Sequence, residues 1–137
     1  MVAAFTGIGW ISNTYLSMHL SSYILGGYDE KLHLRQIFGI AAFAATIGVM
    51  YDLFIDPLFV ALEVWVWAST EGPWYGIPTL NFIGWFMIIF FDTLSYYLVL
   101  NYGDSKNKKV VFGLIAVLLA SITIIFAMEL GHALNIK

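Results

Sequence analysis

Four long apolar stretches, separated by short runs of Gly, Pro, Asn and charged residues, make up the hydrophobic pattern of the chain. The first runs from about Ala4 to Leu25 and ends at Gly26-Gly27. It is the most polar of the four, with Thr6, Ser12, Asn13, Thr14, Ser17, His19, Ser21 and Ser22 among its apolar residues. Ser, Thr and Asn in such a segment find partners on neighbouring helices, so this stretch is expected to face protein rather than lipid. The second starts near Gln36 and stays apolar to Ser69, well beyond the ~20 residues that cross a ~30 Å hydrocarbon core. Pro57 offers no N–H to the carbonyl of Leu53, so a kink or break is predicted near Asp56-Pro57, with Leu58 to Ala68 tilted, re-entrant or interfacial. The third stretch covers about Leu80 to Leu100 and the fourth about Val110 to Leu134. The prediction is an all-α, polytopic membrane helix bundle of about four transmembrane helices, the second broken near Pro57. Residues 1–137 then form a single integral membrane domain.

Composition agrees. Of 137 residues, 61% are apolar and only 11% charged, against about 45–50% and 25% in soluble domains. The mean hydropathy is +0.84. A net charge of −3, with basic residues scattered over loops, excludes a nucleic-acid footprint. The absence of cysteine removes thiol catalysis, Cys-ligated metals, iron–sulfur clusters and disulfides.

Basic residues orient the spans. Lys31 and Arg35 separate the first and second stretches, and Lys106, Lys108 and Lys109 separate the third and fourth. The connection from Ser69 to Thr79 has no Lys or Arg and carries Trp74 and Tyr75. The positive-inside rule then places loops 26–36 and 102–109 in the cytoplasm of a prokaryotic cell, with loop 69–79 and both termini outside. A first helix that enters from outside suggests a longer architecture with further helices before Met1.

Asp52, Asp56, Glu63, Asp92 and Glu129 fall within or at the rim of apolar stretches. A charge at membrane depth is costly, so such groups face a cavity or a partner. Asp52 and Asp56 stand one helical turn apart, and on an unbroken helix Glu63 would share their face, continued by Trp67. Two carboxyls forced together in a low dielectric cannot both ionise cheaply, and a neutral acid beside an ionised one is a tool for proton transfer to carbon or oxygen. Asp56 could instead cap a helix beginning at Pro57. Glu129 and His132 form a lone Glu-x-x-His, one motif where a di-iron bundle needs two, and are read as a structural pair. No metal is expected. His33 reads as solvated, His19 as an interhelical hydrogen bonder, and Asp92 as serving packing or a cavity equally well. The tryptophans fit an aromatic belt, or a wall against a flat polyene or a transient cation.

From Asp52 to Trp85 the chain reads Asp-x3-Asp-Pro, Glu-Val-Trp-Val-Trp, then Gly-Pro-Trp-Tyr-Gly-Ile-Pro-Thr-Leu-Asn-Phe-Ile-Gly-Trp. This combination resembles the membrane carotenoid biosynthesis family that includes the CruF-type carotenoid hydratases, and specifically the C-terminal half of its architecture. The resemblance implies cofactor-free addition of water to the terminal C=C bond of an acyclic carotenoid end group. Asp52 or Asp56 would then be the proton donor and the other carboxylate would orient water, with Glu63 a second candidate base. Trp65, Trp67 and Trp85 would line the polyene path or face a cation, and Tyr75 and Asn81 would offer hydrogen bonds near the mouth. The expected partners are an acyclic carotenoid or other polyisoprenoid lipid, membrane lipids, and another membrane subunit or a second copy. The alternative is a non-catalytic small helical subunit of a larger membrane complex that binds carotenoid or lipid; a proton pathway through the carboxylates is a weaker third.

Overall fold

The computed structural model describes residues 2–26, 31–64, 66–67 and 72–102, with isolated positions at 106, 108, 110 and 113. Three helices account for nearly all of this: α1 (Val2–Ile24), α2 (Leu34–Ala61) and α3 (Thr79–Tyr102). Two of them, α2 and α3, are long and apolar enough to cross a membrane. The fourth expected stretch, and with it Glu129 and His132, lies outside the described residues apart from positions 110 and 113.

The helices run antiparallel in chain order, and α2 is the central one, packed on both others. The polar stripe of α1 is satisfied in that seam. Asn13 Nδ2 donates to the Gly48 carbonyl at 3.3 Å, Ser17 Oγ to Asn13 Oδ1 at 3.2 Å, and Ser21 Oγ to the Ile40 carbonyl at 2.7 Å. Close approach needs small residues, and α2 buries Ala41, Ala44, Ala45 and Gly48. Gly48 is the tightest point: a Cβ there would collide with Ile89 Cδ1 of α3, with Ser17 Oγ and Asn13 Nδ2 of α1 close by. His19 packs its ring against Tyr15 and, across the seam, Tyr96 of α3.

At the end of the bundle away from the acidic pair, Met18, Leu32, Ile37, Ile40 and Tyr97 form an apolar cluster. The segment entering α2 is fastened there to α3: Asn101 Oδ1 accepts the Leu32 N–H at 2.7 Å, and the Tyr102 hydroxyl donates to the Leu32 carbonyl at 3.3 Å. Exposed His33 precedes α2, and its N–H donates to Gln36 Oε1 at 2.9 Å.

Pro57 does not break α2, contrary to the sequence expectation. The helix continues through it to Ala61. The reason is a substitute donor: the indole Nε1 of Trp74 donates to the Leu53 carbonyl at 2.8 Å, the group that Pro57 leaves without an intrahelical N–H. Asp56 is therefore mid-helix and not an N-cap. The stop comes later and is built from backbone. The N–H of Glu63 reaches the Val60 carbonyl at 3.1 Å, and that of Val64 reaches the Phe59 carbonyl at 2.9 Å. Glu63 itself adopts φ 54. This is the Schellman arrangement, with a glutamate in the left-handed position that glycine usually fills.

Candidate functional site

Helical periodicity puts Asp52 and Asp56 on one face of α2, and both side chains are completely buried. What they meet is Asn81, in the first turn of α3. Its Nδ2 donates to Asp52 Oδ2 at 2.9 Å and to Asp56 Oδ2 at 3.0 Å, so one amide spends both hydrogens on the two carboxyls. Asp52 Oδ1 is buried with no hydrogen-bond partner among the described residues.

These three residues line a partly open cavity of about 240 Å³, whose remaining walls are Trp10, Val66, Trp67 and Trp85. Trp10 of α1 and Trp85 of α3 are stacked, with ring centroids 3.3 Å apart and planes 10° from parallel. Trp67 Nε1 is buried and has no hydrogen-bond partner among the described residues. The result is an aromatic chamber with two acid groups on one wall. Pockets for whole drug-sized ligands usually run from ~300 to 1,000 Å³. This one, at about 240 Å³, is smaller.

The loop between α2 and α3 closes over the acid-bearing turn. Tyr75 and Gly76 both take left-handed φ values, 51 and 78, and the Ile77 N–H donates to the Trp74 carbonyl at 2.9 Å. That pattern is a type I′ turn, in which the second central position falls on glycine and the first is borne by tyrosine. Gly72 is required because a Cβ there would run into the Ile77 backbone carbonyl. The turn buries Ile77 completely and swings Trp74 back onto α2, where it bonds Leu53 one residue after Asp52.

The residues read from sequence thus separate into two groups. Asp52, Asp56, Asn81, Trp67 and Trp85 meet at the cavity. Glu63 does not: it is exposed in the turn beyond α2, because the helix ends before reaching it. Tyr75 is 73% exposed and packs edge-on against Trp74, outside the cavity lining. Asp92 is half-buried on α3 and does not line the cavity either. Trp65 lies outside the described residues. Trp10 and Val66 were not anticipated as site residues. Trp10 was accessible to reasoning, since it precedes Asn13 and Ser17 on the same helical face, the face expected to meet protein.

The fold and site define a helical membrane protein with an acid-lined aromatic cavity between its helices. The chain belongs to a family described as carotenoid biosynthesis protein, whose model matches residues 2–136. No curated protein matches it, and no solved structure does. A role in carotenoid biosynthesis follows from this membership. Among the described residues, no group of three or more His, Asp or Glu gathers where it could hold a metal ion.

Proposed function

We propose that the chain is a carotenoid hydratase that adds water to the terminal C=C bond of an acyclic carotenoid end group by acid catalysis, without a cofactor. The observation that carries this reading is the clasp of Asp52 and Asp56 by a single Asn81 amide on the wall of an aromatic cavity. Two carboxyls held by one amide in the low-dielectric wall of the cavity cannot both ionise cheaply, so in this reading the pair shares a proton. One carboxyl protonates an alkene carbon. The other takes a proton from water as its oxygen bonds to the tertiary cation. The faces of Trp10, Trp67 and Trp85 stabilise positive charge through their quadrupoles and exclude bulk water. The substrate lies in the bilayer and presents one end to the cavity.

In this reading the fourth apolar stretch completes a four-span bundle. Loops 26–36 and 102–109 face the cytoplasm, and the aromatic loop 69–79 faces outside, following the positive-inside rule. The acid pair then sits toward the outer face.

The test is production of hydroxylated carotenoid in cells that accumulate the acyclic hydrocarbon. Wild-type chain is expected to yield the tertiary alcohol; Asp52→Asn and Asp56→Asn, present in the membrane at similar levels, are expected to yield none. Unchanged product in both variants would refute the reading.

A further inference from the structure

A cavity of about 240 Å³ takes the end of a long chain and no more, so the rest of such a ligand must leave through a wall. Two of the walls are fastened. Asn81 ties α3 to both acids of α2, and Trp74 ties the interhelical loop to Leu53. The bonds that hold α1 to α2 come from Asn13 and Ser21, and Trp10 stands on the N-terminal side of both. There the wall is Trp10 of α1 laid flat on Trp85 of α3, and neither indole makes a hydrogen bond among the described residues. Ile8 and Ile11 near Trp10, and Ile83 near Trp85, are more than half exposed, so this wall borders the lipid-facing surface. Val66 is exposed as well, but it lies past the end of α2, where a departing chain would leave hydrocarbon depth. A chain that passes between α1 and α3 stays within it.

We infer that Trp10 and Trp85 form a lateral gate between the bilayer and the cavity, and that the slot they make on parting clasps the planar conjugated stretch of an acyclic polyene. The two ring planes are 10° from parallel, so parting them gives a slot with two flat apolar sides. A planar chain covers both ring faces at once and replaces the contact that the rings lose with each other. A saturated chain, which is not flat, makes poorer contact with either face. Without ligand the stack closes the cavity; with one, the trailing chain holds it open. The inference deepens the hydratase reading, on which the fate of the chain's end rests, by naming the route from the bilayer and a binding element apart from the acids.

The test uses the absence of cysteine from the chain. In lipid nanodiscs, the full-length double variant Trp10→Cys/Trp85→Cys is joined by a short, reducible bis-methanethiosulfonate and then offered an acyclic carotenoid hydrocarbon. The tethered chain is expected to take up no pigment above the level of empty nanodiscs, and reduction of the tether is expected to restore uptake. Equal uptake with the tether intact and cleaved would overturn the gate and place entry elsewhere, past Val66 for instance. A second measurement keeps both indoles. The wild-type chain is expected to show a far-ultraviolet exciton couplet from the stacked rings, lost alike in Trp10→Phe and Trp85→Phe, and lost in the wild type once pigment is bound. A couplet that persists with pigment bound would mean that the stack stays closed, and would also overturn the gate. Tether-dependent uptake by a chain that hydrates nothing would keep the gate and remove the hydratase reading. Full hydration by the tethered chain would do the reverse.

Discussion

The indole of Trp74 and the carbonyl of Leu53 meet at 2.8 Å, twenty-one residues apart in sequence, where Pro57 withholds the helix's own donor. This bond lets α2 run on through the proline. It also ties the interhelical loop to the turn that carries Asp52 and Asp56, so the acid pair and the loop above it form one unit.

Trp74→Phe removes that donor from an exposed hydrogen bond and is expected to cost about 0.5–1.5 kcal/mol of stability. Pro57→Ala restores an intrahelical N–H, so in that background the same substitution is expected to cost less than about 0.5 kcal/mol. Denaturant titration of the four proteins in micelles gives the coupling directly. Strict additivity would show that the indole and the proline are unrelated.

Asn81 is the group that makes two carboxyls compatible in one wall. Asn81→Leu removes both hydrogen bonds at similar volume and is expected to lower stability by at least about 1–3 kcal/mol, because two buried acceptors lose their donor. Hydration is expected to fall more than tenfold in the fraction that remains folded. Full activity and an unaltered melting temperature would deny the clasp any role.

Glu63 is expected to be dispensable for chemistry. It sits exposed with φ 54 at the stop of α2, where glycine is favoured. Glu63→Gly is expected to hold or raise stability, by up to about 1 kcal/mol, and to leave product formation within twofold of wild type. Thermal melts and pigment analysis check both halves. A large loss of product would return Glu63 to the acid cluster.

The point where three helices converge gives a packing prediction. Gly48→Ala drives its new methyl into Ile89 Cδ1, and overpacking of this kind costs about 1–3 kcal/mol. Ile89→Val deletes that carbon, so the double variant is expected to recover most of the loss when the melting temperatures are compared. Failure of rescue would mean that Ser17 and Asn13, and not Ile89, limit the space.

Much of this was legible in the residues. Apolar length and polar punctuation located α1, α3 and the start of α2 to within a few positions, but not the end of α2, and the hydroxyl-rich face of α1 announced a protein contact. The spacing of Asp52 and Asp56 placed them together, and the Asn-Phe-Ile-Gly-Trp run carried Asn81 and Trp85 to the start of α3. Pro57 misled because local rules describe only its own helix. The donor that rescues it comes from Trp74, brought back by a turn in which a tyrosine holds a left-handed φ. Glu63 was lost for the related reason that a backbone stop precedes it. The face of α1 that carries Trp10 was legible from Asn13 and Ser17, but its pairing was not, because Trp85 lies across the bundle and a contact of that separation leaves no trace in the sequence.

The central claim is that this acid pair adds water to an alkene. The direct measurement is mass analysis of pigment after the purified chain, in liposomes with an acyclic carotenoid hydrocarbon and no added cofactor, is incubated in water enriched in heavy oxygen. The account predicts a tertiary alcohol bearing one labelled oxygen, absent with Asp52→Asn or Asp56→Asn. Unmodified hydrocarbon with the wild-type chain, or labelled alcohol that persists in both variants, would contradict it.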